Sequence, residues 1–232
     1  MTAPAIMAVG AHIGDMELAA GPLLAQAVSD GGQAVLVDLT PGERGHPRMP
    51  VNEYREQKIA EATAFAHAVG AQLHVFDDIS DGFLEVDDHI AARLAALIRR
   101  HRPDLLVAHW KHSIHRDHEH ASAIAQRARF LAGLPGWEDP GGGERHAVRR
   151  LYYAENWEDA RGFTADRYAP ISPKAFELWA AAIAGHAFAR GETYGFRYID
   201  YYTAQLTMRG CLARSERAVA LADADAAPRL LD

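Results

Sequence analysis

The sequence predicts an α/β protein built on a Rossmann-like, mostly parallel sheet with helices on both faces. Three observations carry that expectation. The strand-like runs are apolar throughout rather than alternating, as strands covered on both faces are. Helix-patterned segments separate them one at a time. Of 232 residues, 49% are hydrophobic and 24% charged, ordinary for a globular chain long enough to bury one sizeable core.

Each element has a local reason. Ile6–Val9 is a short apolar run closed by Gly10, and Leu18–Val28 carries apolar residues at helical spacing. Ala34–Leu39 reads as a second buried strand, ended by the Pro41-Gly42 turn. Asn52 can cap a helix that Gly70 stops near Val69, and Leu73–Phe76 is a third strand. Asp87 can cap a helix over Ile90–His101, whose Arg99, Arg100 and His101 suit the negative end of its dipole. Leu105–Ala108 is a fourth strand, followed by a helix from about Glu119 to Leu131. Right-handed crossovers then set strands one and four side by side at the point where the strand order reverses, and ligands bind beyond their carboxyl ends. His12 and Asp15 after the first strand should therefore meet His115 and His118 after the fourth, about a hundred positions away.

Residues 1–134 are expected to form this core, and 135–232 a C-terminal extension of short strands and helices packed on the same domain. The extension begins in a loop (Pro135, Gly136, Pro140-Gly141-Gly142-Gly143) suited to a lid or a rim of the site. Strands are expected at Leu151–Ala154 and around Tyr168–Ile171, then helices over Pro173–Ala189 and Ala204–Ala222, with a weakly ordered tail at Asp223–Asp232. A net charge of −7 speaks against nucleic acid or an anionic membrane as partner. No apolar run approaches the roughly 20 residues that span a bilayer. Met1–Gly10 lacks the basic start of a secretory leader, and the single Cys211 rules out an internal disulfide or a thiolate-rich zinc site. A cytoplasmic protein acting on a small molecule is expected, and a homo-oligomer is left open.

Two segments carry chemistry. In Ala11-His12-Ile13-Gly14-Asp15-Met16-Glu17, an imidazole and a carboxylate sit three positions apart across a strand-to-helix turn. Both are ligands for zinc or another divalent transition metal. Taken alone the spacing is common, and Asp15 as a helix cap explains it as well. The second segment, His109 to His120, holds five histidines in twelve residues. Solvated side chains account for His109, His112 and His120. The His115-x-Asp117-His118 centre is more specific: His118 can ligate the metal while Asp117 holds His115 as a general acid and oxyanion stabiliser.

Three motifs in order, His-x-x-Asp-x-Glu, the Thr40-Pro41-Gly42-Glu43-Arg44-Gly45 turn and His-x-Asp-His, resemble the PIG-L/LmbE-like zinc-dependent N-acetylglucosaminyl deacetylases over roughly residues 5–125. The resemblance implies metal ligands His12, Asp15 and His118, and His115 as the acid, oriented by Asp117. It implies removal of an N-acyl group, N-acetyl above all, from an amino sugar or similar small polar substrate. Glu43 and Arg44 then shape the site or touch substrate, with a solvated turn as the alternative, and Asp81 matches an aspartate that can hold a sugar hydroxyl. One position departs: Gly14 stands where the family carries the aspartate that acts as general base. His115 in a double role, Glu17, His112 or His46 could stand in, or water could be activated by the ion alone, at a cost of about 10²–10⁴-fold. Hydrolysis of another C–N bond, a different metal-assisted reaction, or a silent metal-binding protein are the alternatives. Lys58 and Glu61 resemble a family pair but also read as a solvated i, i+3 pair. The aromatic residues Trp157, Phe163 and those at 194–202 suit a pocket, a core or a subunit interface, and His186 reads as structural.

Overall fold

β1 (Ala5–His12), β2 (Gln33–Thr40), β3 (Gln72–Val75) and β4 (Leu105–His109) lie parallel in the order β3-β2-β1-β4, so the first and fourth strands are neighbours. This is a computed structural model, and it describes residues 3–225 apart from 140, 142 and 160. β1 is in register with β4 from Ile6↔Leu105 to Val9↔Ala108. β5 (Arg150–Ala154) pairs parallel with β4, and β7 (Arg217–Asp223) and β6 (Arg167–Ile171) complete the seven-stranded sheet antiparallel. Helices α1 (Asp15–Ala19), α2 (Gly21–Ser29), α3 (Val51–Val69), α4 (Asp88–His101), α5 (Arg116–Gly133), α6 (Pro173–Ile183) and α7 (Tyr198–Ala213) connect them.

Successive strand residues point to opposite faces, and the core divides accordingly. Ile6, Ala8 and Leu36 face α2 and α6 with Leu24, Phe65 and Trp179. Met7, Val9 and Val37 face α4 and α5 with Leu94, Ile98 and Ile124. Each such fully buried side chain stabilises the fold by about 1.5–3 kcal/mol. Asp87 caps α4 by accepting the His89 N–H, and Gly70 ends α3 in the left-handed region at φ 77°.

Several expectations change: α3 begins at Val51 with Pro50 rather than Asn52 at its cap, and α6 ends at Ile183 rather than Ala189. The segment expected as one helix to Ala222 is instead α7 followed by β7: Arg214 turns left-handed at φ 57°. Gly210 also packs so closely on Glu216 that a Cβ would stand 2.5 Å from its carbonyl oxygen. The following Ala-Val-Ala-Leu run is then buried between β5 and β6. α5 begins at Arg116, three residues early, with the His115 side chain accepting the Asp117 N–H at its cap, so Asp117 and His118 sit on the first helical turn. Residues 223–225 of the expected loose tail are described, Asp223 as the end of β7, while 226–232, Pro140 and Gly142 lie outside the described residues.

Candidate metal centre

The carboxyl ends of β1 and β4 bring His12, Asp15, His109, His115 and His118 around one point. Gly14 occupies the α1 cap with φ 108°, and the Glu17 carboxylate accepts its N–H at 2.8 Å. Glu17 thus does the capping, which leaves Asp15 turned inward. Its Oδ2 accepts the His12 N–H at 2.8 Å and lies 3.2 Å from His12 Nδ1, 3.2 Å from His109 Nε2 and 3.4 Å from His118 Nε2.

The far nitrogens of these rings are held by carboxylates. His12 Nε2 faces Asp81 Oδ1 at 3.1 Å and Asp117 Oδ2 at 3.2 Å. Asp159 spans two rings, 3.2 Å from His109 Nδ1 and 3.3 Å from His118 Nδ1. A carboxylate behind a ligating imidazole fixes its tautomer and raises its basicity. Burial lowers the pKa of His118, but the Asp15 and Asp159 carboxylates outweigh it and hold it up at about 9. His12 is likewise raised against burial by Asp15, Asp117 and Asp81. Asp159 is drawn down to about 2, burial being outweighed by the two imidazoles.

The carboxylates around these rings thus favour positive charge at this point, as a metal ion would supply. Overlapping groups of donors fit an ion here, His12–His115–His118 and Asp15–His109–His118 sharing His118, with His12–Asp81–Asp117 beside them. The trio expected from the sequence is spread over the first two groups. His12 Nδ1 and His118 Nε2 could face an ion beside Asp15 Oδ2, since the second nitrogens of both rings lie against carboxylates.

His115 and Asp117 are both brought to the site, but Asp117 meets His115 through another group than expected. The Asp117 backbone N–H, not its carboxylate, donates to His115 Nδ1 at 3.2 Å, which leaves the ring proton on Nε2. The carboxylate instead serves His12 and accepts the Gly82 N–H at 2.7 Å. Burial, with His12 and His118 nearby, keeps the His115 pKa below its usual value, so the ring is neutral.

A cavity of about 350 Å³ opens over the centre, within the range of small-molecule sites. His12, Asp15, Asp81, His115 and His118 line it, with Lys58, Glu158 and an aromatic wall of Trp157, Phe188, Tyr194, Tyr198 and Tyr202. Of the three residues expected to meet substrate, Asp81 alone lines it. Glu43 is buried beneath, accepting from the Ser80 hydroxyl, the Asp81 N–H and Arg55. Arg44 points outward to Ser80 Oγ at 2.7 Å and over the Phe83 ring. Of the candidate substitute bases, His115 lines the cavity, Glu17 is spent on the Gly14 N–H, His46 Nδ1 accepts two turn N–H groups, and His112 is exposed.

Several functional side chains went unforeseen. His109, read as solvated, is fully buried as the last residue of β4. Asp159 and Glu158 sit on a 3-10 turn after β5 (Trp157–Asp159). Lys58 is buried, its ammonium donating to the Ile13 carbonyl and lying 4.3 Å from the Phe188 ring centre. Its signal was available, since Tyr54, Lys58, Ala62, Phe65 and Val69 follow the buried stripe of α3.

The family model of the GlcNAc-PI de-N-acetylases (PIG-L) matches residues 7–129, which contain every residue named above except those after β5. The chain belongs to the PIG-L family. The 4-oxalmesaconate hydratase of Pseudomonas putida KT2440 is 32% identical to the chain over 140 residues, 57% of this chain and 54% of that protein. The chain thus spans about half the length of this curated relative. The crystal structure of GalB, the 4-carboxy-2-hydroxymuconate hydratase of Pseudomonas putida KT2440, superposes with a TM-score of 0.85 at 24% identity, covering 99% of this chain and 98% of that one. The N,N'-diacetylchitobiose deacetylase of Pyrococcus horikoshii gives 0.79 at 15% identity, over 95% and 83%. The PIG-L fold therefore carries both hydratases and deacetylases.

Proposed function

We propose that this PIG-L protein is a metal-dependent hydratase, adding water across a carbon–carbon double bond conjugated with a carbonyl in a small, flat polycarboxylate. The carrying observation is Gly14. A Cβ there would stand 2.2 Å from Phe188 Cζ, on a backbone at φ 108° that L side chains rarely adopt. The position from which the deacetylases direct their base is thus empty of a side chain and filled by a neighbour. The 32% identity to 4-oxalmesaconate hydratase supports the same reading.

A bound zinc or similar ion would supply two things here: a lowered pKa for water, to about 7, and charge to stabilise a developing oxyanion. The chain's residues supply the rest. Neutral His115 presents its Nε2–H toward the oxygen on which negative charge develops. Lys58, a cation lining the cavity, suits a substrate carboxylate. The aromatic wall takes the flat face of a conjugated substrate and keeps water from it.

A second reading, zinc-dependent removal of an N-acetyl group from an amino sugar, is favoured by the activity for which the family is named. In that case neutral His115 would stabilise the oxyanion of the tetrahedral intermediate. Metal-loaded protein offered 4-oxalmesaconate and N-acetylglucosamine separates the two, with His118→Ala as control. Loss of conjugated absorbance without amine release is expected, and amine release alone would overturn the hydratase reading.

A further inference from the structure

Three acids line the cavity, and two are committed. Asp15 takes the His12 N–H and faces three imidazoles. Asp81 accepts the Arg44 N–H at 3.1 Å and faces His12 Nε2 at 3.1 Å. The Glu158 carboxylate accepts no hydrogen bond among the described residues. Its nearest basic neighbour is His118 Nδ1 at 3.6 Å from Oε2, and that nitrogen also faces Asp159 Oδ1 at 3.3 Å.

The main chain around Glu158 is nonetheless fixed. Its N–H donates to Asn156 Oδ1 at 3.2 Å, and the Tyr202 hydroxyl donates to the same oxygen at 3.0 Å. The Asp159 N–H donates to the Asn156 carbonyl at 3.0 Å, and the Asp159 side chain is locked between two rings. A rigid backbone thus presents an uncommitted carboxylate to the cavity. A carboxylate held at the cavity wall by a fixed backbone, with no protein hydrogen bond of its own, is available to what enters.

We infer that Glu158 is the catalytic residue that moves the proton which position 14 has no side chain to move. As the water oxygen bonds to the β-carbon of the substrate, one O–H proton passes to the Glu158 carboxylate. The π pair shifts to the α-carbon and the carbonyl conjugated with it. Protonated Glu158 then delivers that proton to the α-carbon, so one whole water is added and the carboxylate is restored. The final acceptor rests on the hydratase reading. In amide hydrolysis the same carboxylate would take the proton from water and pass it to the nitrogen as the C–N bond breaks.

Glu158→Gln preserves shape and the backbone contacts of the turn, so it tests the carboxylate itself. Two measurements on metal-loaded protein of equal metal content decide the matter. The first is the affinity for acetohydroxamic acid by calorimetry, because a hydroxamic acid gives up a proton when it chelates an ion, and a carboxylate beside it can keep that proton in the complex. The variant should bind at least about tenfold more weakly, and affinities equal within about twofold overturn the assignment. The second is turnover of 4-oxalmesaconate, in which kcat should fall by about 10²–10⁴-fold with KM little changed. Near-wild-type kcat, or a rise in KM alone, overturns Glu158 and leaves the hydratase reading intact. A wild type that converts neither 4-oxalmesaconate nor N-acetylglucosamine overturns that reading instead, and hydroxamate affinity still decides for Glu158.

Discussion

The Phe188 ring occupies the space into which a side chain on Gly14 would project, its Cζ 2.2 Å and Cε1 2.6 Å from where a Cβ would stand. Gly14→Ala should destabilise the protein through two effects. A non-glycine residue at this positive φ costs about 1–3 kcal/mol, and overpacking against the ring a further 1–3 kcal/mol or so. Phe188→Ala relieves the second effect and leaves the first. A double-mutant cycle by urea denaturation should therefore show favourable coupling of about 0.5–3 kcal/mol. Strict additivity would mean that the two residues do not meet.

The same overlap bears on placing an aspartate at position 14. Gly14→Asp alone should leave amine release from N-acetylglucosamine at the wild-type level, because its carboxylate is barred from the cavity by Phe188. A rise of about tenfold or more in the single variant, measured by amine derivatisation, would show that the ring gives way at little cost.

Metal affinity should depend on Asp159, although it touches the ion through histidines only. Asp159→Asn cannot serve His109 Nδ1 and His118 Nδ1 with two carboxylate oxygens. Its affinity should fall by about 10–100-fold in equilibrium dialysis, whereas His118→Ala should bind almost none. At a metal concentration about 100 times the dissociation constant, the wild type should gain about 2.7 kcal/mol of stability, reversed by chelator. An Asp159→Asn affinity equal to the wild type would reduce Asp159 to a packing role.

Asp38, fully buried on β2, finds no hydrogen-bond partner for either carboxylate oxygen among the described residues. Burial, with Glu17 and Asp15 nearby, pushes its pKa well above the usual carboxylate value, against the pull of Lys58 and His12. The folded state therefore keeps the proton after the unfolded chain has lost it. Asp38 contributes most below the unfolded carboxylate pKa of about 3.9, and that stability is lost as pH rises through the interval up to the raised folded value. Asp38→Asn should melt higher than the wild type at pH 8, by about 2–4 °C for each kcal/mol released. The gain should shrink as pH falls toward about 4. A gain independent of pH would mean that Asp38 is not the titrating group.

The fold was legible because unbroken apolar runs such as Ala34–Leu39 belong to strands covered on both faces, and because crossover handedness puts β1 next to β4. His12, Asp15 and His118 followed from that adjacency, and Asp87 and Gly70 from cap chemistry. What escaped depended on three-dimensional neighbours. No local pattern marks Asp159 within Trp-Glu-Asp, since its partners lie about 40–50 positions earlier. His109 escaped because the strand was ended one residue early, at Ala108. Lys58 escaped because its pairing with Glu61 was weighed before its place on the buried stripe of α3. The Asp117 carboxylate was matched to the adjacent ring of His115, whereas the first turn of α5 carries it to His12.

The turn bearing Glu158 and Asp159 sits outside the segment that matches the family model, yet it clamps two histidines that lie within it. The two portions of the chain are therefore not interchangeable parts. A chimaera that kept residues 1–134 and borrowed another relative's C-terminal portion would inherit His12, Asp15 and His118 without the carboxylate that braces His109 and His118. Unless the graft carried an acid at the height of Asp159, swapping it to change substrate preference would loosen the metal as well.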